Sequence, residues 1–117
     1  MMYVDFYAGG KDYKLRLNTR NVVMLEKRIG CNPITIFGTN DNEIVVPTVT
    51  TMVEVLNASL QQLNHGITLN DTEGIFDAWL ADGHSTTEFS KVIMDIYKVS
   101  GLFPSKSDEQ DEEAEKN

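Results

Sequence analysis

Residues 85–101 have the sequence STTEFSKVIMDIYKVSG, and this stretch decides the class of the fold. Ser85 and Glu88 have the spacing of a capping box, in which two side chains bond reciprocally to backbone N–H groups at a helix start. Gly101 suits the end of the helix. Between these signals, apolar residues recur at helical spacing and predict one buried helix face. These residues are Phe89, Val92, Ile93, Ile96 and Tyr97.

Similar signals predict three earlier helices. Asn18 or Thr19 caps a first helix that ends at Gly30. A second helix follows Pro47 and extends to Leu63, before His65 and Gly66, and is predicted to be the longest. A third begins at a capping box formed by Thr68 and Asp71 and stops before Gly83. Between the first two, Pro33 favours a short helical turn over 34–37, followed by a loop over 39–43.

Apolar and charged residues alternate near the N-terminus, as in a β-strand with one face exposed to solvent. Tyr13, Leu15 and Leu17 alternate with Lys14 and Arg16, and the glycine pair at 9–10 can form a tight turn. Residues 2–17 therefore predict a β-hairpin. The fold class is α+β, mainly α, with an N-terminal β-hairpin followed by about four helices in a single small bundle-like domain. No element is long enough to be stable alone, so all must share one core.

Length and composition limit the number of domains, the class of partner and the cellular environment that the chain can have. A length of 117 residues suits one domain, predicted over 1–104. Residues 105–117 carry six acids and no large apolar residue, which predicts a disordered acidic tail. The net charge of −8 disfavours nucleic acid as a partner. Apolar runs are too short for a membrane span or a signal peptide, and a single cysteine, Cys31, excludes an internal disulfide.

No motif in the chain indicates catalysis. His65 and His84 lie beside glycines at predicted helix ends, where capping or surface roles suffice. Cys31 follows a helix C-terminus, where the negative end of the dipole disfavours a nucleophilic thiolate. Acidic stretches such as 70–74 lack the spacing of a calcium loop. We therefore expect no enzyme activity, no catalytic residue, no cofactor and no metal site.

The charge is unevenly distributed along the chain. Residues 11–28 carry six basic and two acidic side chains, whereas 29–90 carry eight acids and no Lys or Arg. This pattern predicts a body with a basic and an acidic end, and head-to-tail self-association. It also leaves open an alternative function, a small acidic regulatory or inhibitory binding module that mimics nucleic acid.

Three apolar residues lie off the predicted core faces of their helices: Met24, Val55 and Met94. A bundle can bury such residues on a second side, and isolated surface apolar residues are common. The alternative is an adaptable protein-binding surface, for which flexible Met side chains are suited. With Phe103, these residues are the candidate partner-binding positions.

Several segments of the chain resemble one known protein family and occur in the same order as in that family. They are LNTR at 17–20 leading into LEKRIG at 25–30, Asn32–Pro33, Phe37–Gly38, Val46–Pro47–Thr48, Leu60 with LNHGIT at 63–68, and VSGLF at 99–103. Over residues 13–103 the chain resembles the tail assembly chaperones of long-tailed, siphovirus-type bacteriophages and of prophages of Gram-positive bacteria. The shared positions are helix caps and core residues, with no catalytic signature.

The resemblance implies a non-enzymatic role in phage tail assembly. Such chaperones shield the aggregation-prone tape measure protein in the host bacterial cytoplasm and recruit major tail tube protein subunits, which displace the chaperone as the tube forms. They are not part of the mature virion. The resemblance implies the partners but assigns no binding residues.

Overall fold

A computed structural model describes residues 2–40 and 43–103, and begins with the predicted hairpin. Strand β1 (Val4–Ala8) pairs antiparallel with β2 (Lys11–Leu15). The turn requires glycine at position 9, which has a φ of +58°. An added Cβ at Gly9 would lie 3.1 Å from the Cβ of Ala78, so the hairpin tip also packs closely on a helix.

Among the described residues, four α-helices follow the hairpin, which confirms the predicted fold class. They are α1 (Thr19–Ile29), α2 (Val49–Leu60), α3 (Leu69–Ala81) and α4 (Thr86–Val99). The capping boxes predicted at Thr68 and Ser85 are present, with Asp71 and Glu88 as their reciprocal partners. Asn18 and Asn21 form a third box at the start of α1. Because a box depends on residues three positions apart, these helix starts follow directly from the sequence.

The segment between α1 and α2 is more ordered than predicted. A 3-10 helix (Pro33–Ile36) forms where Pro33 indicated a helical turn. Within the predicted loop, β3 (Thr39–Asn40) pairs antiparallel with β4 (Glu43–Ile44). This two-residue ladder corrects the prediction of a loop throughout 39–43.

Helix α2 ends earlier than predicted. It stops at Leu60, and its 12 residues are fewer than the 14 of α4, so the prediction that it is the longest helix is wrong. Leu63 is 41% exposed instead of contributing to the core. Gln61 explains the early end, because its Nε2 donates to the carbonyls of Asn57 and Ile67 and so bridges the helix to the following turn.

The core forms where the hairpin packs against the helices. Phe6 of β1 stacks on Trp79 of α3, with ring centroids 5.6 Å apart, and meets Phe89 of α4 edge-on at 6.0 Å. Phe76 completes this aromatic cluster. Leu15 and other fully buried aliphatic side chains extend the core beneath α2.

Hydrogen bonds fix the hairpin to the helical part of the fold. The Gly9 N–H donates to Oδ2 of Asp82, at the end of α3. Beyond β2, the Arg16 N–H donates to the carbonyl of Ser59, and the Leu17 N–H donates to Oγ of Ser100. The hairpin is therefore connected to the ends of α2, α3 and α4.

The predicted acidic tail, 105–117, and Pro104 lie outside the described residues. Within 2–40 and 43–103, no helix is long and apolar enough to cross a membrane.

Candidate functional site: an apolar groove beside α1 and α2

An open groove runs between α1, α2 and the start of α3, with a cavity volume of about 240 Å³. Its surface is mainly apolar, with one ion pair and three amide side chains. The lining residues are Asn21, Met24, Leu25, Arg28, Glu54, Asn57, Ala58, Gln61, Ile67 and Leu69. Such a groove, open to solvent and bounded by helices, is suited to binding a partner's apolar side chains.

Helix α1 supplies the most exposed apolar side chain of the groove. Asn18 and Asn21 fix the start of α1, and Leu25 anchors the helix in the core. This anchoring places Met24 beside the buried face, where its side chain is 53% exposed. The flexible thioether can adapt to differently shaped apolar partners.

An ion pair crosses the groove from α1 to α2. Arg28 Nη2 lies 2.6 Å from Oε2 of Glu54, and Arg28 Nε donates to both carboxylate oxygens at 3.1 Å. The side chain of Glu54 is only 12% exposed, whereas that of Arg28 is 54% exposed. Hydrogen bonding to Glu54 and its charge raise the pKa of Arg28. The pair therefore neutralises a largely buried carboxylate while leaving part of the guanidinium accessible to solvent.

The amide groups of the groove are already engaged by neighbouring groups. Oδ1 of Asn57 accepts hydrogen bonds from Oγ1 of Thr72 at 2.9 Å and from Nε2 of Gln61 at 3.2 Å. Nε2 of Gln61 also donates to the backbone at both ends of the turn. Oδ1 of Asn21 accepts from the Asn18 N–H. A ligand therefore meets a mainly apolar surface on which Oδ1 of Asn21, Oδ1 of Asn57 and Nε2 of Gln61 already have partners within the protein.

The groove continues along α2 toward its N-terminus. A second, smaller cavity of about 170 Å³ shares Glu54 and Leu69 with the first. Val49 and Val53 of α2 and Glu73 of α3 also line it. We call the two cavities together the α2 groove. Gln61 and Val49 lie at its two ends, so it follows α2 for roughly 18 Å at about 1.5 Å per residue.

Residues 5–116 match a family described as "Family of unknown function (DUF6096)". The match covers nearly the whole chain. This protein belongs to DUF6096. No curated protein and no solved structure matches it.

The DUF6096 fold separates the four residues that the sequence marked as candidate binding positions. Met24 is exposed and lines the α2 groove, as an off-face residue should. Met94 is half-buried on α4 and does not line this groove. Phe103 is also half-buried and packs against Tyr97, with ring centroids 5.7 Å apart.

Val55 is a correction, because its side chain is 0% exposed and part of the core. Helix α2 contacts α1, α3 and α4. A helix surrounded in this way is buried on more than one face, so a residue off its main apolar stripe need not reach solvent. Of the two outcomes left open for Val55, burial on a second side of the helix is therefore the observed one, and Val55 offers no surface to a partner.

Sequence reasoning missed several groove residues of the DUF6096 domain. Arg28 and Glu54 are 26 positions apart, and no local pattern pairs them. Ile67 and Leu69 follow Gly66, where the sequence showed only a turn and a helix start. The available signal was the basic run on α1, which contains Arg28 but gives no indication of its partner.

Another cavity of the DUF6096 domain lies beside Trp79. His84 stacks on the indole of Trp79 with ring centroids 4.4 Å apart, and its Nδ1 lies 3.0 Å from Oε2 of Glu88. The hydrogen bond from His84 is the main cause that lowers the pKa of Glu88. His84 thus contacts the first turn of α4 through Glu88 and does not cap the carbonyls at the end of α3. In the described part of the chain, no group of three His, Cys, Asp or Glu side chains could hold a metal ion.

The hydroxyl of Tyr97 is buried and has no hydrogen-bond partner among the described residues. Burial raises the pKa of this phenol, and the nearby Cys31 adds to the effect. The ring itself is held between Phe37 and Phe103. Tyr97 therefore packs as an aromatic core residue, away from the groove.

Proposed function

We propose that this DUF6096 protein is a non-enzymatic tail assembly chaperone of a long-tailed bacteriophage or prophage. In this proposal it acts in the host bacterial cytoplasm, shields the tape measure protein before tail assembly and helps to recruit major tail tube protein subunits. It is then displaced and is absent from the mature virion. The support from sequence is the resemblance over residues 13–103.

The observation that carries this proposal is the open α2 groove with Met24 at its edge. A protein that shields an aggregation-prone helical client needs an exposed apolar surface, and it must itself remain folded without the client. The buried aromatic cluster supplies the folded core. The groove supplies apolar surface at a separate place, formed by α1, α2 and the start of α3.

The same features suit temporary binding. The groove offers apolar contact, while Oδ1 of Asn57 and Nε2 of Gln61 are already paired within the protein. Contacts of this kind do not depend on one exact client sequence, which suits a long client with many similar segments. They also leave room for displacement by a competing surface such as polymerising tail tube protein.

Co-expression with the tape measure protein encoded by the same phage tests the proposal. We expect the wild-type chain to keep that protein in solution and to be recovered with it in a pull-down. Met24→Glu should abolish this effect, because a carboxylate at the groove edge opposes burial against an apolar client. Leu63→Glu is the matched control, since Leu63 is exposed but does not line the groove.

Circular dichroism of both variants verifies that they are folded. A tape measure protein that remains insoluble and unbound beside the wild-type chain would refute the proposed function. Equal loss of binding in both folded variants would remove the groove as its basis.

Self-association belongs to the same proposal. The basic segment 11–28 and the acidic stretch 29–90 favour contacts between unlike parts of two copies. Such contacts weaken as salt screens surface charge over about 10 Å at 0.1 M. Sedimentation at low and high salt tests this, and a monomer under both conditions would exclude it.

A further inference from the structure

The α1 edge of the α2 groove carries positive charge. Arg20 and Lys27 are exposed, and at four residues before and three after Met24 they lie on the same side of the helix. Neither forms an ion pair with the described residues. Arg28 lies one turn beyond Met24, and its charge is balanced by Glu54. The net charge of this edge is therefore about +2, beside an apolar surface.

The opposite edge of the groove has different charges. Helix α3 contributes Glu73 to the wall of the smaller cavity. Glu54, between the two edges, is occupied by Arg28. The larger cavity, at the Gln61 end, is thus bordered by the basic side chains of α1, and the smaller cavity, at the Val49 end, by Glu73, so the groove distinguishes the two ends of an elongated ligand.

The walls of the groove also restrict the backbone of a ligand. They consist mostly of helices and contain no strand, so they offer no strand edge with which an extended peptide could pair. A ligand that buries its backbone here must satisfy its own hydrogen bonds, as a helix does. The length of roughly 18 Å corresponds to about three helical turns.

We infer that the α2 groove binds an amphipathic helix whose apolar stripe covers Met24 and whose acidic side chains lie along the α1 edge, opposite Arg20 and Lys27. This inference rests on the proposed function and specifies the chemistry of the client segments. Those segments have apolar residues at i, i+3, i+4 and i+7 and carboxylates on one flank of that stripe. In this inference the apolar stripe and the flanking charge determine recognition.

Two synthetic 18-residue helical peptides test the inference. Both carry the same leucine stripe, with glutamine on one flank, and differ only in having glutamate or glutamine on the other. Fluorescence anisotropy of the labelled peptides with the full chain gives their affinities at low and high salt. We expect the glutamate peptide to bind roughly threefold to tenfold more tightly at low salt, and the advantage to shrink at high salt.

Protein variants assign the preference to particular residues. Arg20→Gln with Lys27→Gln should remove the advantage of the glutamate peptide and leave the binding of the glutamine peptide unchanged. Lys91→Gln is the matched control, because Lys91 lines the cavity beside Trp79. Met24→Glu should weaken both peptides more than tenfold, and Leu63→Glu should weaken neither.

The outcomes separate the steps of the inference. An unchanged glutamate preference in the double variant would overturn the charge assignment, and unchanged binding by Met24→Glu would overturn the groove. A proline-containing glutamate peptide that binds as tightly as its helical parent would overturn the helical ligand. A wild-type dimer that Met24→Glu dissociates would assign the groove to a second copy instead.

The co-expression experiment with the tape measure protein tests the proposed function separately from the peptide-binding experiment. If the peptides behave as expected but the tape measure protein is neither bound nor solubilised, the groove binds acidic helices and the chaperone role is wrong. If the tape measure protein is solubilised but the glutamate preference is absent, the chaperone role stands and this inference fails.

Discussion

The side-chain amide of Asn64 pairs with the backbone of Lys14 through two hydrogen bonds. Its Nδ2 donates to the Lys14 carbonyl at 2.6 Å, and its Oδ1 accepts from the Lys14 N–H at 3.2 Å. A strand neighbour would satisfy the edge of β2 in the same way. Asn64 also donates to the carbonyl of Leu60, so one side chain connects the hairpin to the end of α2.

We expect Asn64→Ala to destabilise the fold by about 1–3 kcal/mol, because it removes both bonds to β2 and leaves the Leu60 carbonyl without this donor. Urea unfolding measures the change. Gln62→Ala is the matched control and should change the free energy of unfolding by less than about 0.5 kcal/mol, since Gln62 is exposed. Equal stabilities of the two variants would show that the Asn64 pairing contributes little.

Truncation to alanine should lower the stability of the fold at Val55 but not at Met24. Val55→Ala removes two buried methyl groups and should cost about 2 kcal/mol of unfolding free energy. Met24→Ala should change stability by less than about 0.5 kcal/mol, because the side chain is exposed. Thermal and urea unfolding measure both values. A stability loss for Met24→Ala as large as that for Val55→Ala would place Met24 in the core.

The sequence could predict those features of the fold whose signals lie within one short segment. Helix starts at Asn18, Thr68 and Ser85 depend on residues three positions apart, and the hairpin depends on a short alternating run with Gly9 at its turn. Each of these signals is complete within one segment. The fold class could therefore be predicted before any tertiary contact was known.

The environment of α2 and the groove could not be predicted in the same way. Whether Val55 is buried depends on which helices cover α2, and the 12-residue length of α2 depends on contacts that the following turn makes. The Arg28–Glu54 pair joins two helices far apart in sequence. The exposure of Met24 could be predicted because α1 lies at the outside of the fold, where a helix buries only one apolar stripe and leaves its other residues in solvent.

The capping box of α3 should make stability sensitive to acid. Oδ2 of Asp71 accepts from the Thr68 N–H at 3.0 Å, and bonding to Thr68 lowers the pKa of Asp71 below its ordinary value of 3.8. As the pH falls below that value, the unfolded chain binds the proton first, so the folded state loses stability. The contribution is fully present above the ordinary pKa and is lost as the pH passes through the lowered one.

Asp71→Asn should therefore lower the melting temperature at pH 7 and reduce the further loss between about pH 4 and about pH 2, because asparagine does not titrate. Thr68→Ala is the matched variant, since it keeps the backbone donor and should retain part of the acid-sensitive step. Melting temperatures across this pH range provide the measurement. If the melting temperature of Asp71→Asn fell between about pH 4 and about pH 2 by as much as that of the wild type, Asp71 would not be the source of the acid sensitivity.

The stacking of His84 on Trp79 should be visible in tryptophan fluorescence. Trp79 is the single tryptophan of the chain, and the two rings are nearly parallel, at 6°. The imidazole covers one face of the indole and helps to keep Trp79 only 4% exposed. We expect His84→Ala to admit water to that face and to shift the emission maximum to longer wavelength. His65→Ala should leave the emission unchanged, because His65 is the other histidine and is exposed. Far-ultraviolet circular dichroism of both variants verifies that the fold is unchanged. An emission maximum in folded His84→Ala equal to that of the wild type would show that the stacked imidazole does not shield Trp79 from water.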